Sequence, residues 1–372
     1  MKALEYKLFG AIFHLYRLFP VNKNKIVLFM GHDCKFQGNI RYVYEEMKQR
    51  NEKFQFKIFS KKQLNQSKLG MLKFFFQMNF HMATSKYVFL NDNFMPLKYM
   101  NPSKKTKFVQ LWHGVGAFKR FGLSTEMDPF VRACVQDGNK KISVLTVSSP
   151  HVVPFYEEAL AIDREKILST GVPLTDFYFN ESQKERAKEK VYEQFPEWRS
   201  KKVLLYTPTF RNTKEQNIDI IKHFDMKKVS DALGEDWVVL IRLHPQVKEC
   251  MPPLEKNCYD VTEYPDIKGL FMVSDALVAD YSSTIVEYAL LDKPILLYDY
   301  DLEEYDRGFY ESYREIAPGE LLCDEEAFLV YLKNMPKQVH YDAFIDLEYG
   351  NQVDGHATKR LVDYLWDQER GC

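Results

Sequence analysis

The sequence predicts an α/β protein of two domains, each built on a parallel sheet. Three observations lead there. A chain of 372 residues exceeds what one hydrophobic core ordinarily organises, so two domains of comparable size are expected. Short apolar runs alternate with amphipathic segments along most of the chain, as in successive βαβ units. The third observation is the stretch from Leu270 to Tyr298, which displays such a unit. Leu270–Val278 is apolar apart from Ser274 and Asp275 and reads as a buried strand. Ile285, Tyr288, Ala289 and Leu291 follow at helical spacing, Pro294 stops the helix, and a second apolar run ends at Tyr298. A right-handed crossover between parallel strands is the expected connection.

From the N-terminus, Leu4–Phe19 predicts an amphipathic helix. Leu4, Leu8, Ile12, Leu15 and Phe19 form its apolar stripe, flanked by Phe9, Phe13 and Tyr16. Strands are expected at Lys25–Met30, Phe54–Phe59, Tyr87–Leu90, Phe108–Trp112 and Ile142–Val147. Helices are expected at Arg41–Gln49, Phe130–Asp137 and Val153–Ala161. Lys68–Met82, with Phe74, Phe75 and Phe76, is apolar nearly all round. The first domain spans 1–180. Glu181–Glu193 makes a charged helical connector, and Pro196–Ser200 marks a restart. The second domain spans 200–350, with strands at Val203–Tyr206, Trp237–Leu243, Met272–Val278 and Ile295–Tyr298. The tail, 354–370, predicts a helix that returns to the first domain. No internal repeat or low-complexity tract interrupts this pattern.

Charge is distributed unevenly. Residues 1–123 hold 22 Lys and Arg against 6 Asp and Glu, while the remainder holds 29 against 46. A basic first third implies an anionic partner. The lysines are dispersed and carry no nucleic-acid-binding motif, so nucleic acid is not expected. Two basic, Phe-rich helices suit the headgroup region of an anionic membrane surface, and Leu4, Leu8, Phe9, Ile12, Phe13, Phe19, Phe74, Phe75 and Phe76 are the expected contacts. Each helix could equally pack on a domain core. Neither reads as a transmembrane span or a signal peptide. The six cysteines, Cys34, Cys134, Cys250, Cys258, Cys323 and Cys372, have no zinc spacing and read as reduced thiols.

Open α/β sheets bind ligands beyond the carboxyl ends of their strands, and four predicted strands end in polar motifs. They are His113-Gly-Val-Gly116, Thr207-Pro-Thr-Phe-Arg211, Arg242-Leu-His-Pro245 and the Ser282-Ser283 turn. Each alone has a plain structural reading: a satisfied histidine, a surface ion pair at Arg211, turn prolines. Thr284-Ile-Val-Glu287 likewise fits a capping box, which needs no ligand. The alternative for Ser282, Ser283 and Thr284 is an anion site at a helix N-terminus. Four such ends on two domains suggest a crevice that holds a nucleotide diphosphate.

Leu111-Trp-His-Gly-Val115, Tyr206–Arg211, Arg242–Pro245, Asp280–Ser283, Leu291-Asp-Lys-Pro-Ile295 and Asp301–Tyr310 together resemble the CDP-glycerol glycerophosphotransferase family of teichoic acid synthesis. The match runs in the family's order from about Val109 to Tyr310. The resemblance implies a GT-B-like fold, two Rossmann-type domains facing a cleft, and a peripheral position on the cytoplasmic face of the cell membrane. It implies substrate contacts at Trp112, Gly114, Val115, Pro208, Thr209, Arg211, Arg242, Ser282, Ser283, Thr284 and Glu287, with catalytic roles for His113 and His244. The sequence departs from the family pattern at Glu287, usually an aspartate, and at Gly171-Val-Pro-Leu174, where an arginine often stands.

The implied reaction is attack by an acceptor hydroxyl on the glycerol-bearing phosphate of CDP-glycerol, with CMP leaving. An imidazole, ordinarily of pKa about 6.5, suits the base, and His113 is assigned that part. His244, Arg211 and the 282–284 turn would stabilise the developing charge. The implied acceptor is a polyprenyl-diphosphate-linked disaccharide, and chain length points to a primase. No tightly bound cofactor is expected. No metal is expected either, since Asp275, Asp280 and Glu287 form no cage by spacing. The other readings are a polymerase using CDP-glycerol or CDP-ribitol, a GT-B nucleotide-sugar glycosyltransferase, and a non-catalytic membrane-surface binding protein.

Overall fold

The computed structural model describes residues 2–31, 35–60, 63, 67–305 and 308–370; Cys34, Cys372, Asp306 and Arg307 lie outside them. The chain forms two compact units, Met1–Asp176 with Leu347–Cys372, and Phe177–Asp346.

The first unit opens with helix α1 (Lys2–Tyr16), then β1 (Asn22–Met30), α2 (Gly38–Arg50), β2 (Gln55–Ser60), α3 (Lys68–Ala83), β3 (Ser85–Leu90) and β4 (Lys107–Gln110). Helices α4 (Pro129–Asn139) and α5 (Val153–Leu160) enclose β5 (Val144–Thr146), and β6 (Ile167–Leu168) is the last strand. All pairings are parallel, in the order β2-β1-β3-β4-β5-β6. The order therefore reverses between β1 and β3, which are neighbours in the sheet although β2 intervenes in sequence. The C-terminal helix Ala357–Arg370 closes one face. Its Leu361, Val362 and Leu365 share a core with Ile26, Leu28, Val43 and Met47, and Asp176 caps its start through Ala357 N–H (2.8 Å) and Thr358 N–H (3.0 Å).

Helix α1 crosses the unit at very close range. A Cβ on Gly10 would lie 2.3 Å from the Tyr99 carbonyl oxygen and 2.7 Å from Tyr99 Cβ. Because the obstacle is backbone, the helix must shift to admit even one methyl group. Gly10→Ala is expected to destabilise the protein by about 1–3 kcal/mol, read as a lower urea midpoint at unchanged slope.

The second unit begins with α6 (Glu181–Gln194) and continues through β7 (Lys202–Thr207), α7 (Lys214–His223), α8 (Met226–Leu233), β8 (Trp237–Ile241) and β9 (Cys258–Asp260). It is completed by α9 (Ile267–Val273), β10 (Ala276–Ala279), α10 (Thr284–Tyr288), β11 (Ile295–Leu297), α11 (Tyr313–Ile316), β12 (Glu320–Leu321) and α12 (Glu325–Lys333). Its parallel sheet runs β12-β11-β10-β7-β8-β9. This is the doubly wound order of mononucleotide-binding sheets, with the reversal between β7 and β10.

Two expectations change. The apolar run expected as a strand over Met272–Val278 is helix α9 as far as Val273, and only Ala276–Ala279 is strand. Asp266 caps α9 by accepting from Lys268 N–H, and a continuous apolar run cannot itself distinguish helix from strand. The short helix after Thr284 passes into a 3-10 turn and ends at Asp292, which has φ 53°, so it stops before Pro294.

Candidate functional site

In the second unit, the two loops at the sheet's reversal point are bonded to each other. Beyond β7 comes Thr207-Pro-Thr-Phe-Arg211, and beyond β10 comes Asp280-Tyr-Ser-Ser283. The hydroxyls of Thr207 and Thr284 lie 3.0 Å apart. The Asp280 carboxylate accepts from Thr209 N–H (2.8 and 3.1 Å) and pairs with Arg211 Nη1 at 3.0 Å. Arg211 Nε and Nη2 donate to the two oxygens of Asp301 at 2.8 and 2.9 Å, and Nη1 also donates to the Thr209 carbonyl at 2.6 Å. The guanidinium lies against the rings of Tyr281 and Tyr305, 4.9 and 5.2 Å from their centroids. Burial works to lower the Arg211 pKa, but hydrogen bonding to Asp301 and the field of Asp280 outweigh it and raise the pKa. The same carboxylate of Asp301 accepts from Tyr281 OH at 2.9 Å.

This geometry changes the part expected of Arg211. Its side chain is 6% exposed, and Nε, Nη1 and Nη2 are all engaged within the protein. It acts as a strut between the β7 loop, the β10 loop and Asp301 and is not presented as a phosphate donor. Arg242, half-buried, is tied at one nitrogen: Nη1 donates to the carbonyls of Val261 (3.0 Å) and Tyr264 (2.6 Å), and burial lowers its pKa against the pull of Asp266 and Glu263. Pro208 and Thr209 are buried; Pro208 has no N–H, and that of Thr209 is given to Asp280.

The expected capping box at Thr284 does not form. Thr284 is the first helical residue, and Ser283 at the N-cap makes no cap hydrogen bond. Ser282 Oγ instead accepts from Thr284 N–H (3.3 Å) and its hydroxyl (2.9 Å), while Glu287 accepts from Tyr178 OH at 2.9 Å. The hydroxyl of Ser283 is exposed beside this turn. The three carboxylates considered for a metal are dispersed in use: Asp275 accepts from Val203 N–H (2.8 Å), Asp280 serves Arg211, and Glu287 serves Tyr178. Among the described residues no group of three or more His, Cys, Asp or Glu could hold a metal ion. His244 follows β8, its ring 4.5 Å from that of Phe210 on the β7 loop. It therefore belongs with the reversal point. A polar pocket of about 360 Å³ opens beside Phe210, Asn212 and Lys214.

In the first unit, β4 stops at Gln110 and the chain turns sharply. Trp112 has φ 54°, a left-handed conformation that is strained for a bulky residue. Two side chains hold it there. Gln110 Oε1 accepts from Trp112 N–H (3.0 Å). The buried Asn39 amide donates to the carbonyls of Leu111 (3.1 Å) and Trp112 (3.0 Å), and its oxygen accepts from Leu174 N–H (2.9 Å). The turn presents His113, whose ring lies 4.4 Å from that of Trp112. His113 Nδ1 is 3.2 Å from the Asn91 carbonyl oxygen. A carbonyl can only accept, so Nδ1 carries the proton and the lone pair of the neutral ring is on Nε2. A base acting through Nε2 needs this tautomer. Gly114 keeps the backbone beside His113 uncovered, with nothing closer than 3.7 Å to a would-be Cβ, and Val115 is buried. The departing Leu174 is likewise a core residue, 6% exposed.

Nothing in the local sequence marked Asn39, Gln110 or Asn91 as parts of the site, because each acts across the fold on a backbone group. Asp301 was visible within a motif, but no role for it could be read there.

The nine residues expected at a membrane divide. Phe9, Phe13 and Phe74 are buried and pack inward, Ile12 and Phe75 are half-buried, and Leu4, Leu8, Phe19 and Phe76 are exposed. Leu15, Leu18, Leu69, Met71 and Leu72 add to the exposed set. On α1 the aromatic flank fills the core, so the aliphatic stripe faces outward. Among the described residues no helix is long and apolar enough to cross a membrane.

Residues 11–367 match the family described as CDP-Glycerol:Poly(glycerophosphate) glycerophosphotransferase. The chain is 34% identical over 373 residues to a teichoic acid poly(ribitol-phosphate) polymerase of Bacillus spizizenii, covering 98% of this chain and 60% of the relative. It is 30% identical over 373 residues to a teichoic acid ribitol-phosphate primase of the same organism, covering 97% and 94%. Among solved structures, the wall teichoic acid polymerase TagF superposes with a TM-score of 0.77 at 22% identity, over 100% of this chain and 96% of that one. That likeness shows the α/β fold with its two parallel sheets.

Proposed function

The chain belongs to the CDP-glycerol:poly(glycerophosphate) glycerophosphotransferase family, and from that premise we propose that it transfers glycerol phosphate from CDP-glycerol to a hydroxyl of a polyprenyl-diphosphate-linked saccharide. The observation that carries this reading is the pair of bonded loops at the reversal point of the second sheet. Such a point is where doubly wound sheets take a nucleotide. With Arg211 engaged internally and Thr209 N–H held by Asp280, the CDP phosphates are assigned to the turn Ser282–Thr284, to the Thr209 hydroxyl beside Pro208, and to His244. Glu287, held by Tyr178, is assigned to the ribose.

His113 Nε2 accepts the proton of the acceptor hydroxyl. The acceptor oxygen then bonds to the glycerol-bearing phosphorus, the bond from that phosphorus to the CMP oxygen breaks, and CMP leaves with its electron pair. The protein acts at the cytoplasmic face of the membrane, where the exposed apolar stripe of α1 and the basic first third meet an anionic surface. It adds the first unit or units, as a primase does. CDP-ribitol is a second donor to consider, favoured by the ribitol-phosphate names of both relatives above.

The test is a donor screen with a lipid-linked saccharide analogue, reading CMP release together with product mass. A mass increase of one or a few glycerol phosphates is expected. Long polymers would replace the primase reading with a polymerase, and ribitol-only products would change the donor. Release of UDP or GDP from a nucleotide sugar, with no CMP from any CDP-polyol, would overturn the reaction class.

A further inference from the structure

An apolar cavity in the first unit is not accounted for by donor binding or by proton transfer. It has a volume of about 620 Å³, within the range of about 300–1,000 Å³ typical of small-ligand sites. Its walls come from α1, α3 and the segment after β3, among them Phe9, Phe74, Phe75, Met78 and Phe94. Edge-to-face contacts of Phe9 with Phe75 (5.0 Å) and Phe94 (5.5 Å) stiffen them. Its rim is open, because Leu8, Met71 and Leu72 are 55%, 46% and 53% exposed.

Position makes this cavity more than a packing defect. It reaches Gly31 after β1 and Asp92 and Asn93 after β3, and so lies where the order of the first sheet reverses. That is the place a doubly wound sheet offers to a ligand. It is also tied to the candidate base. Asn91 accepts from Gly31 N–H through its side chain (3.0 Å) and bonds His113 through its carbonyl. The next two residues along the chain, Asp92 and Asn93, form the polar end of the cavity. One end is therefore hydrocarbon and opens among exposed leucines and methionines, while the other is polar and adjoins the turn that carries His113.

We propose that this cavity holds a single hydrocarbon chain, the lipid segment nearest the diphosphate of the acceptor, and so directs the acceptor's saccharide end toward His113. The chemistry is selective. The aromatic and thioether lining takes an alkyl or isoprenoid chain. The charged groups lining the cavity itself are Glu5 and Asp92; the preference for a chain with an anionic head comes from the wider first third, which holds 22 Lys and Arg against 6 Asp and Glu over residues 1–123. Seating the chain in a pocket is distinct from resting the helices on a bilayer, since a pocket has a fixed length. This inference rests on the reading that the acceptor is lipid-linked.

The experiment titrates the full chain by calorimetry with a homologous series of n-alkyl phosphates, each below its micelle concentration. Affinity should rise about fourfold per added methylene and then level off once the cavity is full. The double variant Met71→Trp, Leu72→Trp narrows the rim at half-exposed positions where folding is not at risk. It should weaken the longest chains at least tenfold and leave the shortest unchanged. CMP release to a water-soluble acceptor without a tail should also stay unchanged in the variant. Affinity independent of chain length, affinity rising without a plateau, or equal long-chain binding in the variant would each overturn the proposal. Saturable chain binding without CMP release from any CDP-polyol would leave the cavity assignment standing and defeat the transferase reading instead.

Discussion

His113→Ala is expected to lower turnover by a factor of about 10²–10⁴, the range for loss of a positioned general base, with the fold intact. The ring is half-buried, and its backbone is fixed by neighbours and not by its own side chain. Gln110 and Asn39 hold the left-handed turn at Trp112, so truncation at 113 leaves that scaffold in place. Circular dichroism and the urea midpoint should match those of the unmodified protein. The acid limb of the kcat/KM profile, which reports the free enzyme's base, should vanish in the variant. An Asn39→Ala variant separates positioning from chemistry. It frees the Leu111 and Trp112 carbonyls and leaves the Leu174 N–H unpaired, so both turnover and stability should fall. Full turnover by His113→Ala would refute the assignment of the base.

What could be read from the sequence follows from the range of each interaction. The long parallel strands β1, β3, β7 and β8 were legible because both faces are buried and their apolar runs are continuous. The edge strands β6, β9 and β12, two or three residues each, carry too little pattern to detect. The polar strand ends were visible as residue types: three motifs located loops beyond strands of the second sheet, and a fourth located the turn after β4 of the first. Their internal wiring was not visible. Arg211 next to a threonine-rich turn looks like a phosphate donor until Asp280, 69 residues away, and Asp301, 90 away, are seen to occupy its nitrogens. A sequence shows that a charge exists but not whether a distant carboxylate has already neutralised it. The aromatic flank of α1 was ambiguous for a related reason: periodicity defines a stripe, and only tertiary packing decides which stripe faces the core.

Arg211→Met should destabilise the second unit by about 3–5 kcal/mol, the cost of removing one partner from a buried ion pair. The methionine fills much of the same space, so the loss is electrostatic and not a cavity effect. It leaves two carboxylates, Asp280 and Asp301, packed among Tyr281, Tyr305 and Tyr313 without their shared cation. Asp280 keeps its bonds from Thr209 N–H, and Asp301 keeps one from Tyr281 OH, neither of which cancels a full charge. Replacing Asp301 as well should therefore restore part of the loss. In Arg211→Met, Asp301→Asn the second substitution removes an unpaired charge, and a coupling energy of about 0.5–3 kcal/mol between the two sites is expected. Arg211→Lys should recover little, because a single ammonium cannot reproduce the two parallel bonds to Asp301. A ligand-binding arginine would behave differently. Its loss would raise the KM for the donor and leave the urea midpoint where it was. That outcome would return Arg211 to the phosphates of the nucleotide and remove the strut.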